Sequence, residues 1–229
     1  YVLAVINASV FGVGWAAGLY QSPADFMAAI YQNPSLLILP GRISIVAFSI
    51  LAIWQLKKLA DPMMQGNAWI GSIFAAALLA FSPLYVQHSQ IIRSDIMGTA
   101  FMLLTLGAAV RIADQGKLSD YLWASIWLAL ALASKWPFGI TALAVFGAAY
   151  HQVRENRSGT VSQLKRLLIF TIATPILVLV ISPYLLLDFS TAFSNITGEA
   201  RVQHLGATSE GFVRNALWYI REPLFSALS

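Results

Sequence analysis

Asp95, Lys135, Arg42, His88, Arg93 and Asp188 all stand at or near the ends of long apolar runs. A charge at membrane depth costs roughly 3 kcal/mol or more, so it usually faces a partner or a cavity. Glu199, Arg201 and His204 follow in the longest polar stretch. Asp95 opens an apolar run after Arg93-Ser94. A carboxylate there can cap a helix, bind a metal ion or a sugar hydroxyl, or move a proton. Arg93 beside it either snorkels to the interface or pairs with an anionic phosphate. Lys135 lies in Ser134-Lys135-Trp136-Pro137-Phe138-Gly139, within an apolar run. It either snorkels or meets a lipid phosphate at a helix break that lines a cavity. Arg42 follows Pro40-Gly41 and reads as a cation at a helix start, where the dipole disfavours it. Asp188 closes Ser182-Pro183-Tyr184-Leu185-Leu186-Leu187. His204 alone is weak, since a lone His usually packs or is solvated. Asn195-Ile196-Thr197 matches the N-glycosylation pattern, which is common by chance. The Trp and Tyr residues read mostly as an interface belt.

Six apolar stretches must position these residues, at about 2–20, 43–56, 68–86, 96–113, 121–150 and 167–187. Four are near the ~17–25 residues of a spanning helix. The second reaches that length only if 36–40 extend it backward. The fifth is too long for one span, and Pro137 breaks it, because an internal proline removes a backbone hydrogen bond and clashes with the preceding turn. It reads as a hairpin whose arms meet near Lys135. Segment 21–35 reads as an outer loop with a short interfacial helix, and 188–215 as a second outer loop.

Composition sets the class. The chain is 58% hydrophobic and 10% charged, against about 45–50% and about 25% in a soluble domain. Its mean hydropathy is +0.70. Too few charges remain to cover a water-facing surface, so the expected fold is all-α, a polytopic transmembrane bundle of about 6–8 helices forming one domain over residues 1–229. Cysteine is absent, which excludes disulfides and thiolate metal sites. The basic residues form no stripe, so nucleic acid is not an expected partner. With 57–67 inside, the inner loops hold eight of the 14 basic residues and four of the 10 acids. That bias fits the positive-inside rule and requires the hairpin. The chemically suspect residues then gather at the outer ends.

These motifs resemble the membrane-embedded glycosyltransferases of GT-C type that include protein O-mannosyltransferases and bacterial lipid A aminoarabinose transferases. Leu39-Pro40-Gly41-Arg42 is similar to the family's Arg-led second helix. Leu79-Ala80-Phe81-Ser82-Pro83-Leu84-Tyr85 through Arg93-Ser94-Asp95 resembles its proline-and-aspartate stretch, and Leu130-Ala131-Leu132-Ala133-Ser134-Lys135 its lysine-ended helix. Ile181-Ser182-Pro183-Tyr184-Leu185-Leu186-Leu187-Asp188-Phe189 resembles a bacterial segment in which Asn usually stands at Ser182. The resemblance implies sugar transfer, with inversion, from a polyprenyl-phosphate donor to a protein, lipid or glycan acceptor. It places this at the outer face of a bacterial or archaeal plasma membrane. It also implies Asp95 as the catalytic acidic position and Lys135 as the lysine near the carrier phosphate. Arg42, His88, Arg93, Asp188, Arg201 and His204 are the remaining substrate-binding candidates. Some members use a divalent metal, for which Asp95 is the candidate ligand. The family's usual base lies in a first outer loop that would precede Tyr1, and Asp25 is a poor substitute. The chain therefore reads as part of a longer protein and is expected to be inactive alone. The competing readings are a transporter or flippase of an anionic lipid, and a non-catalytic subunit. Transporters place charge at the midplane and often show repeated halves; here the charges sit at helix ends and no repeat is visible.

Overall fold

The computed structural model describes residues 2–63, 68–155, 159–198, 212–219 and 221–222. Every regular element among them is helical. Helices satisfy their own backbone polar groups, which hydrocarbon would leave unpaired. The first apolar stretch forms α1 (Val2–Ala16), and the Pro-rich loop after it carries α2 (Pro23–Gln32). Ser22 Oγ accepts from Asp25 N–H at 3.2 Å and Asp25 Oδ2 accepts from Gln21 N–H at 3.2 Å. Asp25 thus takes part in the cap of α2.

The second stretch is longer than its apolar core. It forms α3 (Ser35–Ala60), with Pro40 inside it. Proline this near the start removes only the bond to the Leu36 carbonyl, a small loss in an otherwise continuous helix. One expectation is corrected. Arg42 is not at a helix start but about two turns inside α3, so the argument from a misplaced cation falls away.

The third stretch breaks at Phe81-Ser82 into α4 (Ala68–Ala80) and α5 (Pro83–Ser89), bent by 62°. The fourth is α6 (Ser94–Gln115). The fifth divides as Pro137 requires, into α7 (Leu118–Ser134), a 3-10 turn at Trp136–Thr141 and α8 (Ala142–Arg154). The sixth gives α9 (Thr160–Ile181) and α10 (Tyr184–Leu187), followed by α11 (Phe189–Gly198) and α12 (Phe212–Tyr219). Among the described residues α3, α6 and α9 are long and apolar enough to cross a membrane, and α4 with α5 is a fourth candidate if the bent pair is one span.

The ends of the hairpin locate its arms. At the tip, Phe138 lies so close to α6 that a methyl group on Gly98 would overlap its ring. At the open end, Gly116 closes α6 in a left-handed conformation (φ 57°) and turns the chain into α7. Its carbonyl accepts from Gln163 Nε2 at 3.2 Å and also from Arg166. Tyr121 Oη donates to Gln163 Oε1 at 2.9 Å, and Gln152 Nε2 donates to the Ala113 carbonyl at 2.6 Å. The end of α8 and the start of α9 therefore both sit against the α6–α7 turn. Segments 111–118, 151–155 and 159–166 share one end of the bundle, as the charge distribution requires.

α6 is the axis of the bundle: 61% of its apolar window is buried, against 22% for α3 and 17% for α9. One core cluster joins Ile112, Tyr121, Leu128, Val145 and Phe170; the other joins Ile45, Tyr85, Ile96 and Phe101, and Trp127 packs against both. Outward, α3 exposes Ile43, Val46 and Ile50, and α9 exposes Leu164, Leu168, Ile172 and Ile176. Such continuous apolar faces are rare on soluble monomers and are what lipid-facing helices require. Lys58 lies over the Trp54 ring at 3.8 Å, an aromatic–cation anchor suited to an interface.

Candidate active site

Ser82 is extended before Pro83, because the proline ring crowds the preceding residue out of helical space. The resulting bend turns α5 across the top of α6. Tyr85 fixes it there: its buried hydroxyl donates to the Ser49 carbonyl of α3 at 3.0 Å. His88 follows one turn later, with Nδ1 2.9 Å from the Leu84 carbonyl. A carbonyl only accepts, so that nitrogen carries the proton and Nε2 is an acceptor in the neutral ring.

Arg93 is extended and forms the cap position of α6, so Asp95 is its second residue. Asp95 is therefore not the cap residue, and its carboxylate reaches across to the hairpin. Lys135 is the extended residue that closes α7, and its Nζ donates to Asp95 Oδ1 at 2.6 Å. The carboxylate lies at a helix N-terminus and the ammonium at a helix C-terminus, so each complements its own helix dipole before they pair. Lys135 retains 50% of its side-chain exposure and Asp95 29%. Solvent therefore screens the bond, and it contributes at most about 1 kcal/mol to stability. Its value lies in position, because it joins two helix ends separated by 40 residues of chain. His88 lines the same cavity as this carboxylate, and Arg93 stands two residues before it at the cap position.

Beside this pair is an open cavity of about 330 Å3, lined on its polar side by Ser82, Tyr85, His88, Asp95 and Thr99. Thr99 Oγ1 donates to the Asp95 backbone carbonyl at 2.8 Å. A second cavity, of about 340 Å3, lies between the ends of α7 and α9 and the α10–α11 corner. Asp188 lines it, and Asp188 Oδ1 also accepts from Thr191 N–H at 3.4 Å.

The structure thus brings together Asp95, Lys135, His88 and Arg93. Asp188 lies in the neighbouring cavity. Arg42 is exposed, one turn before the buried Ile45, and no described contact joins it to the others. Glu199, Arg201 and His204 lie outside the described residues. Ser82, Tyr85 and Thr99 escape sequence reasoning because small hydroxyls and tyrosines are ordinary in membrane helices. The nearly fully buried Gln152 and Gln163 escape it because they adjoin loops rich in charge.

Among the described residues no three His, Asp or Glu side chains converge. Asp95 is the one carboxylate of its cavity and already accepts from Lys135. Among the described residues that donor set alone falls short of a cation cage.

A family model described as dolichyl-phosphate-mannose-protein mannosyltransferase matches residues 24–186. The match takes in Arg42, His88, Arg93, Asp95 and Lys135 and ends shortly before Asp188. No curated protein and no solved structure matches significantly.

Proposed function

The chain belongs to the dolichyl-phosphate-mannose-protein mannosyltransferase family, and on that footing we propose that it transfers a sugar from a polyprenyl-phosphate carrier to an acceptor hydroxyl at the outer face of the membrane. The family makes it a membrane glycosyltransferase of the mannosyltransferase type. The observation that carries the finer reading is the Lys135–Asp95 contact of 2.6 Å, made where two helix ends meet beside an open cavity. An ammonium suits the carrier phosphate and a carboxylate suits a sugar or acceptor hydroxyl.

In the proposed step the acceptor oxygen attacks the anomeric carbon and forms the new C–O bond. The bond from that carbon to the phosphate oxygen breaks, and polyprenyl phosphate leaves with the electron pair. The hydroxyl proton passes to a carboxylate, a role assigned here to Asp95. Lys135 meets the phosphate, whose charge competes with Asp95 for the ammonium and releases the carboxylate to the acceptor. The acceptor is a protein, lipid or glycan hydroxyl.

The outer location is supported by charge. Arg111, Lys117, Arg154, Lys165 and Arg166 cluster around the α6–α7 turn, and Lys57 and Lys58 close α3. Basic residues favour the cytoplasmic side, which leaves Asp95 and Lys135 outside. The test uses the full-length protein in proteoliposomes, offered radiolabelled sugar on polyprenyl phosphate or on a nucleotide. Transfer to an acceptor from the lipid-linked donor alone is expected. Movement of the lipid between leaflets without any sugar transfer would replace this reading with a flippase.

A further inference from the structure

The second cavity has a chemistry of its own. Leu132, Ala133 and Val178 make part of its lining apolar, and the half-exposed Trp136 lines it as well. Its polar lining is Asp188, which directly precedes α11, Thr191 and Asn195 one turn apart on α11, and Ser182. Asp188 holds the start of that helix through its Oδ1, and its other oxygen has no hydrogen bond to a described residue. The volume of about 340 Å3 falls within the range of about 300–1,000 Å3 typical of small-molecule sites.

We propose that this cavity is a hexose subsite, in which Trp136 stacks against the C–H face of the sugar while Asp188 and Asn195 accept or donate to its hydroxyls. A hexose is a flat amphipathic ring, with aliphatic hydrogens on its faces and hydroxyls around its edge. It therefore calls for one broad aromatic surface and a set of polar groups, and this cavity is lined by both. A purely aliphatic ligand would leave the carboxylate and amide without partners. The inference rests on the lipid-linked transfer reading and names which part of the donor binds where. Lys135 and Trp136 are consecutive residues, the first turned to Asp95 and the second to this cavity. In a sugar phosphate one oxygen separates the ring from phosphorus, so neighbouring residues can serve the two parts.

The experiment measures equilibrium binding of two radiolabelled lipids, polyprenyl-phosphate mannose and unsubstituted polyprenyl phosphate, to the full-length protein in nanodiscs. The wild type is expected to prefer the mannose-bearing lipid by about ten-fold or more, the size of one or two lost polar or stacking contacts. Trp136→Ala and Asp188→Asn should each abolish most of that preference while binding the unsubstituted lipid as before, and Trp136→Phe should retain it. A wild type that transfers sugar yet shows no preference, or variants that keep the preference or weaken both lipids equally, would overturn the subsite alone. A wild type that neither transfers sugar nor binds either lipid would overturn the transfer reading and the subsite with it.

Discussion

Asp95 keeps a carboxylate at the rim of an apolar bundle because a helix N-terminus and the Lys135 ammonium both favour its charge. The same two features put a carboxylate beside a phosphate-directed cation, so stability and chemistry can be separated by mutation. Lys135→Ala removes the phosphate contact. The apparent KM for the lipid-linked donor should rise about ten-fold or more, the worth of a charge-assisted hydrogen bond, while the melting temperature moves little because the pair is partly exposed. An unchanged KM would count against the phosphate role. Both residues were legible in the sequence as charges in apolar surroundings. Their pairing was not, because it depends on where the hairpin tip lands, and no local pattern encodes a contact across 40 residues. Asp95 as a cap was the local alternative; Arg93 holds the cap position, and the Asp95 carboxylate pairs with Lys135.

The hairpin tip is held to α6 by close packing rather than by the ion pair alone. Gly98 admits the Phe138 ring where any side chain would overlap it. Gly98→Ala should displace the 3-10 turn and Lys135 with it. The expected cost is about 1–3 kcal/mol, read as an earlier thermal unfolding in detergent together with lost transfer; wild-type activity would show that Lys135's placement does not depend on this contact. At the opposite end, Tyr121→Phe removes the hydroxyl that donates to Gln163. The stranded buried acceptor costs about 1–3 kcal/mol, but the donor's KM should stay unchanged because the site lies at the far end of α7. A raised KM would mean that the two ends are coupled. The break in the fifth stretch was legible because proline cannot continue a helix without losing a bond. The start of α3 was legible only as an alternative: the apolar run began at 43, with 36–40 extending it backward to spanning length, and the longer form holds because the bond lost at Pro40 falls near the helix start and is tolerated.

At the scale of the whole molecule, the sparse charge and long apolar runs made a membrane bundle legible from composition alone, and the exposed faces of α3 and α9 bear it out. The two cavities were not legible, because they form where ends of helices distant in sequence come together. The orientation is open to direct measurement. Since the chain has no cysteine, single cysteines report cleanly once any elsewhere in the full-length protein are replaced. A membrane-impermeant maleimide added to intact cells should label Gln90→Cys and should reach Lys117→Cys and Glu155→Cys only after permeabilisation. Labelling of Lys117→Cys and Glu155→Cys on opposite sides would contradict the hairpin. Labelling of both from outside would reverse the orientation.

The most direct test of the central claim is sugar transfer from a polyprenyl-phosphate donor by the full-length protein, wild type against Asp95→Asn. The amide preserves shape but cannot take a proton, so normal expression and folding are expected with transfer reduced by about 10²–10⁴-fold. Near-normal transfer by the Asp95→Asn protein would contradict the assignment of this site.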